Sequence, residues 1–136
     1  MYLVYTPDGG DEQRWEYNPR KLKATEREML ERRTERNFSK FTSDCLEGNS
    51  LCRRALLFMF LRRQHPHVRW DDVDFAWDEL KLEYSKQELQ QMRDQVDANM
   101  TGSDREMALA RLDQEIESAY DDGNEEAGKA LLPIAE

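Results

Sequence analysis

At 136 residues the chain has the length of one domain, with enough material for a single core. Charged residues make up 36% of it and the net charge is −9, a balance that disfavours general nucleic-acid binding. The charge is uneven, because residues 1–69 carry 14 Lys and Arg against 10 Asp and Glu, whereas residues 70–136 carry 6 against 19. We therefore expect an acidic C-terminal part that solvates the molecule or repels other acidic surfaces.

The cellular setting is indicated by the cysteines and by the N-terminal segment. Two thiols, Cys45 and Cys52, do not make a disulfide framework and fit a reducing cytoplasm. The segment MYLVYTPDGG has neither a basic region nor a long apolar region, so no signal peptide is expected. The longest apolar run has seven residues, whereas a membrane-spanning helix needs about 20. The sequence predicts a soluble intracellular protein that does not enter a membrane.

The first residues predict a β-hairpin. Tyr2–Tyr5 is aromatic and favours a strand, residues 7–10 (PDGG) favour a turn, and residues 14–17 (RWEY) alternate polar with aromatic side chains. Because an isolated hairpin is only marginally stable, we expect Trp15 and Tyr17 to pack on helices.

Two helices are predicted after the hairpin. Residues 25–28 (TERE) form a capping box, with Thr25 as the N-cap of a strongly charged helix. Phe38, Phe41 and Cys45 then recur at helical spacing, and Gly48 suits the left-handed position that ends a helix.

The centre of the predicted fold is a third helix, capped by Asn49 or Ser50. It contains seven consecutive apolar residues, Ala55–Leu61, between two pairs of arginines. The run has no β-branched residue, so it favours helix, and a helix that is apolar on every face must be buried or keep one face for a partner. It should end near His65, because Pro66 disfavours helix in the residue before it.

The C-terminal half gives a less definite pattern. Residues 71–84 suit either a short helical segment or an extended piece, and the sequence leaves both open. Residues 85–88 (SKQE) and 103–106 (SDRE) are capping boxes, which predict one helix to about Asn99 and another beyond the break at Thr101–Gly102. After residues 121–123 (DDG) the pattern is weak, and a loose tail is expected.

Together these elements predict a mainly α protein: a small helical domain with a short N-terminal β-hairpin and an acidic helical C-terminal extension. The expected division is a helical core domain in residues 1–99 and an acidic helical extension with a loose tail in residues 100–136.

A metal site is not expected. Cys45, Cys52, His65 and His67 have the ligand types of a zinc site, but six residues separate the cysteines, whereas zinc ligands usually come in close pairs. The cluster at residues 71–74 (DDVD) lacks the Gly and Glu of a calcium loop, so helix capping is the better interpretation.

One basic segment raises the question of nucleic-acid binding, and the motifs of known enzymes decide whether catalysis is expected. Residues 62–70 (RRQHPHVRW) interleave basic and aromatic side chains, as in single-strand binders, but arginines also complement the C-terminal end of a helix dipole. The whole-chain charge favours the second explanation. The chain has no nucleophile elbow and no phosphate loop, so we expect a binding protein with no catalytic residue, no metal and no cofactor.

The order of features from Trp15 to Leu82 resembles the tail assembly chaperones of long-tailed bacteriophages, in particular those of actinobacterial phages. Three segments carry this resemblance: RWEYNPRKLKATEREMLERRT, FSKFTSDCLEGNSLCRRALLFMFLRRQHPHVRWDDVDF and WDELKLE. They reproduce an aromatic strand before a charged helix, a Gly-Asn/Ser break, an apolar helix followed by Arg-Arg, and a final Asp-Asp-Val-Asp-Phe. The last 40 residues depart from the family pattern.

The resemblance implies a protein made in the cytoplasm of the infected bacterium and absent from the mature virion. Such a protein binds the tape-measure protein and helps tail-tube subunits polymerise around it, without contact to nucleic acid or membrane, and self-association into a homo-oligomer stays open. The alternative is a structural phage component, such as a head–tail connector or minor tail protein, or another helical adaptor. Most apolar residues should close the core, and the candidate partner contacts are Phe38, Phe41, Leu57, Phe58, Phe60, Trp70 and Trp77.

Overall fold

The computed structural model describes residues 1–121 and is mainly helical, with one small antiparallel sheet. The strands are β1 (Tyr2–Tyr5), β2 (Gln13–Glu16) and β3 (Leu80–Glu83), and the helices are α1 (Ala24–Thr34), α2 (Phe38–Leu46), α3 (Ser50–Gln64), α4 (Lys86–Asn99) and α5 (Gly102–Ser118). The expected fold class, including the N-terminal hairpin, is confirmed. The loose tail that the sequence predicted lies outside the described residues.

The sheet has the strand order β2-β1-β3, so the hairpin gains a third strand from far along the chain. Leu3 lies opposite Trp15 on one side and opposite Leu82 on the other. The central position of β1 explains why Tyr2, Leu3 and Val4 are all buried. Of the two alternatives open for residues 71–84, the extended one holds for β3, while Trp70–Asp72 and Trp77–Glu79 are single turns of 3₁₀ helix.

The start of α1 differs from the prediction. The helix begins at Ala24 rather than after Thr25, and its N-cap is Lys23. The carboxylate of Glu26 accepts a hydrogen bond from the backbone N–H of Lys23 at 3.0 Å. The same carboxylate is also held by Arg63 of α3, a tertiary contact that the local sequence does not reveal.

Helix α3 occupies the core of the first compact unit, Met1–Glu83. Six of the seven residues in its apolar run are buried, and the seventh, Leu61, is partly buried. The predicted cap is confirmed, because Asn49 Oδ1 accepts a hydrogen bond from the backbone N–H of Cys52 at 2.9 Å. The helix ends at Gln64, as the following His65–Pro66 pair predicted.

The turn between α2 and α3 depends on Gly48, whose φ of +96° lies in the left-handed region. A residue with a side chain would be strained at this φ, so the position suits the glycine that was predicted to end the helix. The same glycine brings the backbone close to Trp77, because a Cβ atom at Gly48 would lie 3.5 Å from Cζ2 of that indole.

The second compact unit begins at Tyr84 and contains α4 and α5 as an antiparallel pair. The predicted capping box is present, with Ser85 Oγ accepting from the N–H of Glu88 at 3.2 Å. At the far end the backbone N–H of Lys86 donates to the carbonyl of Tyr120 at 2.7 Å. The boundary at Tyr84 falls before α4, whereas the expected boundary falls after residue 99. Helix α5 begins at Gly102, after Thr101, so the box predicted at residues 103–106 does not start the helix.

Candidate functional site

Five of the seven candidate partner contacts lie inside the core of the first unit. These are Phe38, Phe41, Leu57, Phe58 and Phe60, each at most 8% exposed. The rings of Phe38 and Phe41 stack with centroids 5.6 Å apart, which joins the first turns of α2. These residues shape the unit from within, and the fold leaves them little surface with which to touch another molecule.

Trp70 is half-buried at the edge of the core, after the end of α3. Its ring meets Phe58 edge-on at 5.4 Å between centroids. The guanidinium carbon of Arg54 lies 4.3 Å from the centroid of the indole, and that of Arg33 lies 4.8 Å from it. Arg54 is also fixed by the backbone, since it donates to the carbonyls of Val73 at 2.7 Å and Trp70 at 2.9 Å. Trp70 is therefore an anchor that holds the segment after α3 against the helix.

Trp77 is the candidate that the fold exposes, with 51% of its surface accessible. One edge of its indole rests on Gly48, and the guanidinium carbon of Arg53 lies 4.8 Å from its centroid. Arg53 is itself held by a hydrogen bond of 2.8 Å to the carbonyl of Cys45. Part of the indole thus packs against Gly48 and Arg53, and the rest of its surface is exposed to solvent.

A second exposed apolar residue, Leu51, was not among the sequence candidates. It belongs to the first turn of α3 and is 39% exposed. The signal that could have identified it is its place outside the apolar run, beside the Gly48 turn. Leu51 and Trp77 are the large apolar side chains that residues 1–83 leave exposed. Leu51 follows Gly48 by three residues and Trp77 lies beside that glycine, and we call the two exposed side chains the Leu51–Trp77 surface.

The two cysteines belong to the core. Cys45 and Cys52 are both free thiols with no measurable exposure. Burial raises the pKa of both thiols, and for Cys45 the nearby Cys52 raises it further. A raised thiol pKa suppresses the thiolate, which is the form that binds metals and attacks electrophiles.

The other candidate metal ligands are either exposed on the surface or paired with an arginine. His65 and His67 are exposed in the turn after α3, whereas the cysteines lie in the core. Asp72 pairs with Arg69 at 3.3 Å, and that arginine lowers the pKa of the carboxyl. Within residues 1–121 no group of three or more His, Cys, Asp or Glu side chains is arranged to hold a metal ion.

Tyr17 is a buried residue of the first unit that carries a hydroxyl group. Its Oη lies 2.7 Å from Oγ1 of Thr42 on α2, and burial raises its pKa to about 12. The hydrogen bond satisfies a polar group that the core would otherwise leave without a partner. Its position is structural, as expected for an aromatic residue of the hairpin that packs on the helices.

None of the helices within residues 1–121 combines the length and the apolar content needed to cross a membrane. Comparisons with protein-family models, with curated proteins and with solved structures gave no match. Within residues 1–83 the candidate functional surface is the Leu51–Trp77 surface, whereas Trp70 is held against α3 by two arginines.

Proposed function

We propose that this protein is a tail assembly chaperone of a long-tailed bacteriophage, which binds the tape-measure protein and assists polymerisation of the tail tube. The observation that carries the proposal is the order of motifs from Trp15 to Leu82, which resembles that family. The order runs from an aromatic strand through a charged helix and a Gly-Asn break to an apolar helix, and then to an acidic turn.

The arrangement of that stretch supports the proposal. All three resembling segments fall within the compact unit Met1–Glu83, so they contribute to one body rather than to separate pieces. The apolar helix is its core, and the acidic turn at residues 71–74 is held against that helix by Arg54.

A chaperone must hold an apolar partner through surface that its own fold leaves open. The Leu51–Trp77 surface offers this, because Trp77 and Leu51 are exposed while the aromatic residues of α2 and α3 are buried. A half-exposed Trp supported by an arginine is a typical interface anchor. We assign the first contact with the tape-measure protein to this surface and give the buried candidates a structural role.

The charge of the second unit supports the same proposal. Residues 84–136 carry 5 Lys and Arg against 13 Asp and Glu, a net charge of −8. Net charge of one sign keeps a complex soluble, and acidic residues do so more effectively than basic ones. A long helical partner that aggregates alone would gain solubility from binding a chain with this acidic segment.

The proposal places the protein in the cytoplasm of the infected host during assembly and not in finished particles. Quantitative mass spectrometry of purified virions tests this placement, with the tail-tube subunit as an internal standard. A chaperone should be abundant in the infected cells and absent from virions. Recovery from virions in a fixed ratio to the tail-tube subunit would instead identify a structural component, such as a head–tail connector.

A further inference from the structure

A groove runs between α1 and α3 on the first unit. Its volume is about 360 Å³, and Met29 and Met59 contribute its apolar side chains. Arg32 of α1 and Arg62 and Arg63 of α3 line it as well. This volume is at the low end of the range for small-molecule sites, about 300–1,000 Å³, and suits one large apolar side chain better than a whole cofactor.

The charge along this groove is unbalanced. Arg63 is neutralised by Glu26, with its Nε and Nη2 donating to the two carboxylate oxygens at 2.7 and 2.9 Å. Arg32 and Arg62 are exposed, and neither lies within ion-pair distance of a carboxylate among residues 1–121. The groove therefore keeps two positive charges that the described part of the chain does not balance.

A third cation extends this positive edge. Arg33 is exposed, and its guanidinium carbon lies 5.5 Å from the centroid of Phe58, whose ring also lies 5.4 Å from that of Arg62. No carboxylate of residues 1–121 lies within ion-pair distance of Arg33. Residues 1–83 as a whole carry 15 Lys and Arg against 16 Asp and Glu, so this edge is a local excess of positive charge on a nearly neutral unit.

We propose that the α1–α3 groove is a docking site for an acidic amphipathic helix of a partner protein. One apolar side chain of that helix fills the space between Met29 and Met59, and its carboxylates pair with Arg32, Arg33 and Arg62. The mode is a helix laid in a groove of mixed character, in which the two methionines contact the apolar side chain and the arginines set the register through charge-assisted hydrogen bonds. The proposal holds for whichever protein supplies the helix, so it does not depend on the tape-measure assignment.

Nucleic acid fits the same edge less well. Base stacking needs an open aromatic face, and the aromatic rings beside these arginines are taken up, Phe58 in the core and Trp70 under two guanidinium groups. The net charge of −9 also repels a nucleic acid, which carries a negative charge at every nucleotide. A helix with a few carboxylates around one apolar side chain needs no open aromatic face and carries less negative charge.

The test uses the full chain and a fluorescent synthetic helix in which a leucine is flanked by glutamates one turn away on each side. We expect saturable binding by fluorescence anisotropy. The same peptide with lysine for glutamate should not bind. The double substitution Arg32→Gln and Arg62→Gln should weaken binding at least about tenfold, since each charged hydrogen bond contributes on that scale. The single substitution Arg20→Gln removes an exposed arginine that does not line the groove, and it should leave binding unchanged.

Three results would overturn the proposal. The first is equal binding of the glutamate and lysine peptides, or of the double variant and the natural protein. The second is tighter binding of a single-stranded oligonucleotide than of the glutamate peptide. The third is self-association of the chain that the double variant abolishes, which would make a second copy the occupant. Because the substituted side chains are exposed, circular dichroism should show both variants folded.

Discussion

Trp15 of β2 stacks on Phe60 of α3, with ring centroids 5.6 Å apart and ring planes within 9° of parallel. The pair joins the sheet to the central helix, and Leu3 and Leu80 of the other two strands belong to the same core. The hairpin is thus stabilised by the helix on which it packs, as the marginal stability of an isolated hairpin requires.

The first prediction concerns this core. Phe60→Ala should lower the free energy of unfolding by about 3–5 kcal/mol, because it removes a buried ring and leaves a cavity. Leu57→Ala should cost about 2–5 kcal/mol for the same reason. The matched control is Trp77→Ala, which removes a half-exposed ring and should cost less than either. Urea unfolding measures all three. A larger loss for Trp77→Ala than for either core substitution would contradict the assignment of Phe60 and Leu57 to the core.

Two backbone positions should respond in opposite directions. Gly48→Ala should destabilise the protein by about 1–2 kcal/mol, because its φ of +96° is strained for any side chain. Glu35 ends α1 in the left-handed region, with φ at 53° and ψ at 39°. Glu35→Gly should therefore relieve strain and stabilise by up to about 1 kcal/mol. Thermal unfolding followed by circular dichroism checks both, and equal signs would contradict the backbone assignment.

The features that the sequence predicted correctly are those whose causes lie close by in the chain. Asn49 caps α3 and Ser85 caps α4 through groups three residues away, and Gly48 and Pro66 limit helices by their own backbone geometry. An apolar run without a polar face required α3 to be buried or to keep one face for a partner, and it is buried. Such features can be predicted because their causes lie within one turn of helix.

What the sequence left open or missed depends on distant partners. β3 becomes a strand because it pairs with β1, so Leu82 meets Leu3 from the other end of the unit. α1 begins at Ala24, two residues before the predicted start, and Glu26, which caps it, is also held by Arg63 of α3. Phe58 and Trp77 are both aromatic residues that the sequence offered as partner contacts, yet one is buried and the other is half-exposed. Local pattern cannot decide that difference, because packing decides it.

The thiols give a prediction about reactivity. Cys45 and Cys52 are buried and their pKa values are raised, so little thiolate forms near neutral pH. In the native protein at about pH 8, we expect neither thiol to react with Ellman's reagent over the time in which a free thiol reacts completely. In denaturant both should react. Fast native labelling of either cysteine would place it at the surface and contradict the packing of α2 against α3.

The Glu26–Arg63 pair gives a prediction about pH. Arg63 lowers the pKa of Glu26 below its ordinary value of 4.5, so the carboxylate form is favoured by folding. Its contribution is therefore fully present above the ordinary pKa and is lost as the pH falls through the lower, folded value. Relative to Glu26→Gln, the natural protein should be more stable at neutral pH by less than about 1 kcal/mol, since the pair is partly exposed. That advantage should vanish in acid. A difference that grows as the pH falls would have the wrong sign.

The proposed function is tested most directly by co-expressing the chain with the tape-measure protein of the same phage. We expect the soluble fraction of the tape-measure protein to rise, the two proteins to co-purify, and the complex to survive moderate salt because apolar contact dominates it. Trp77→Ala, which leaves the core intact, should reduce the recovered complex, and Arg20→Gln should not. A tape-measure protein that stays insoluble and unbound, while this chain folds normally, would contradict the chaperone assignment.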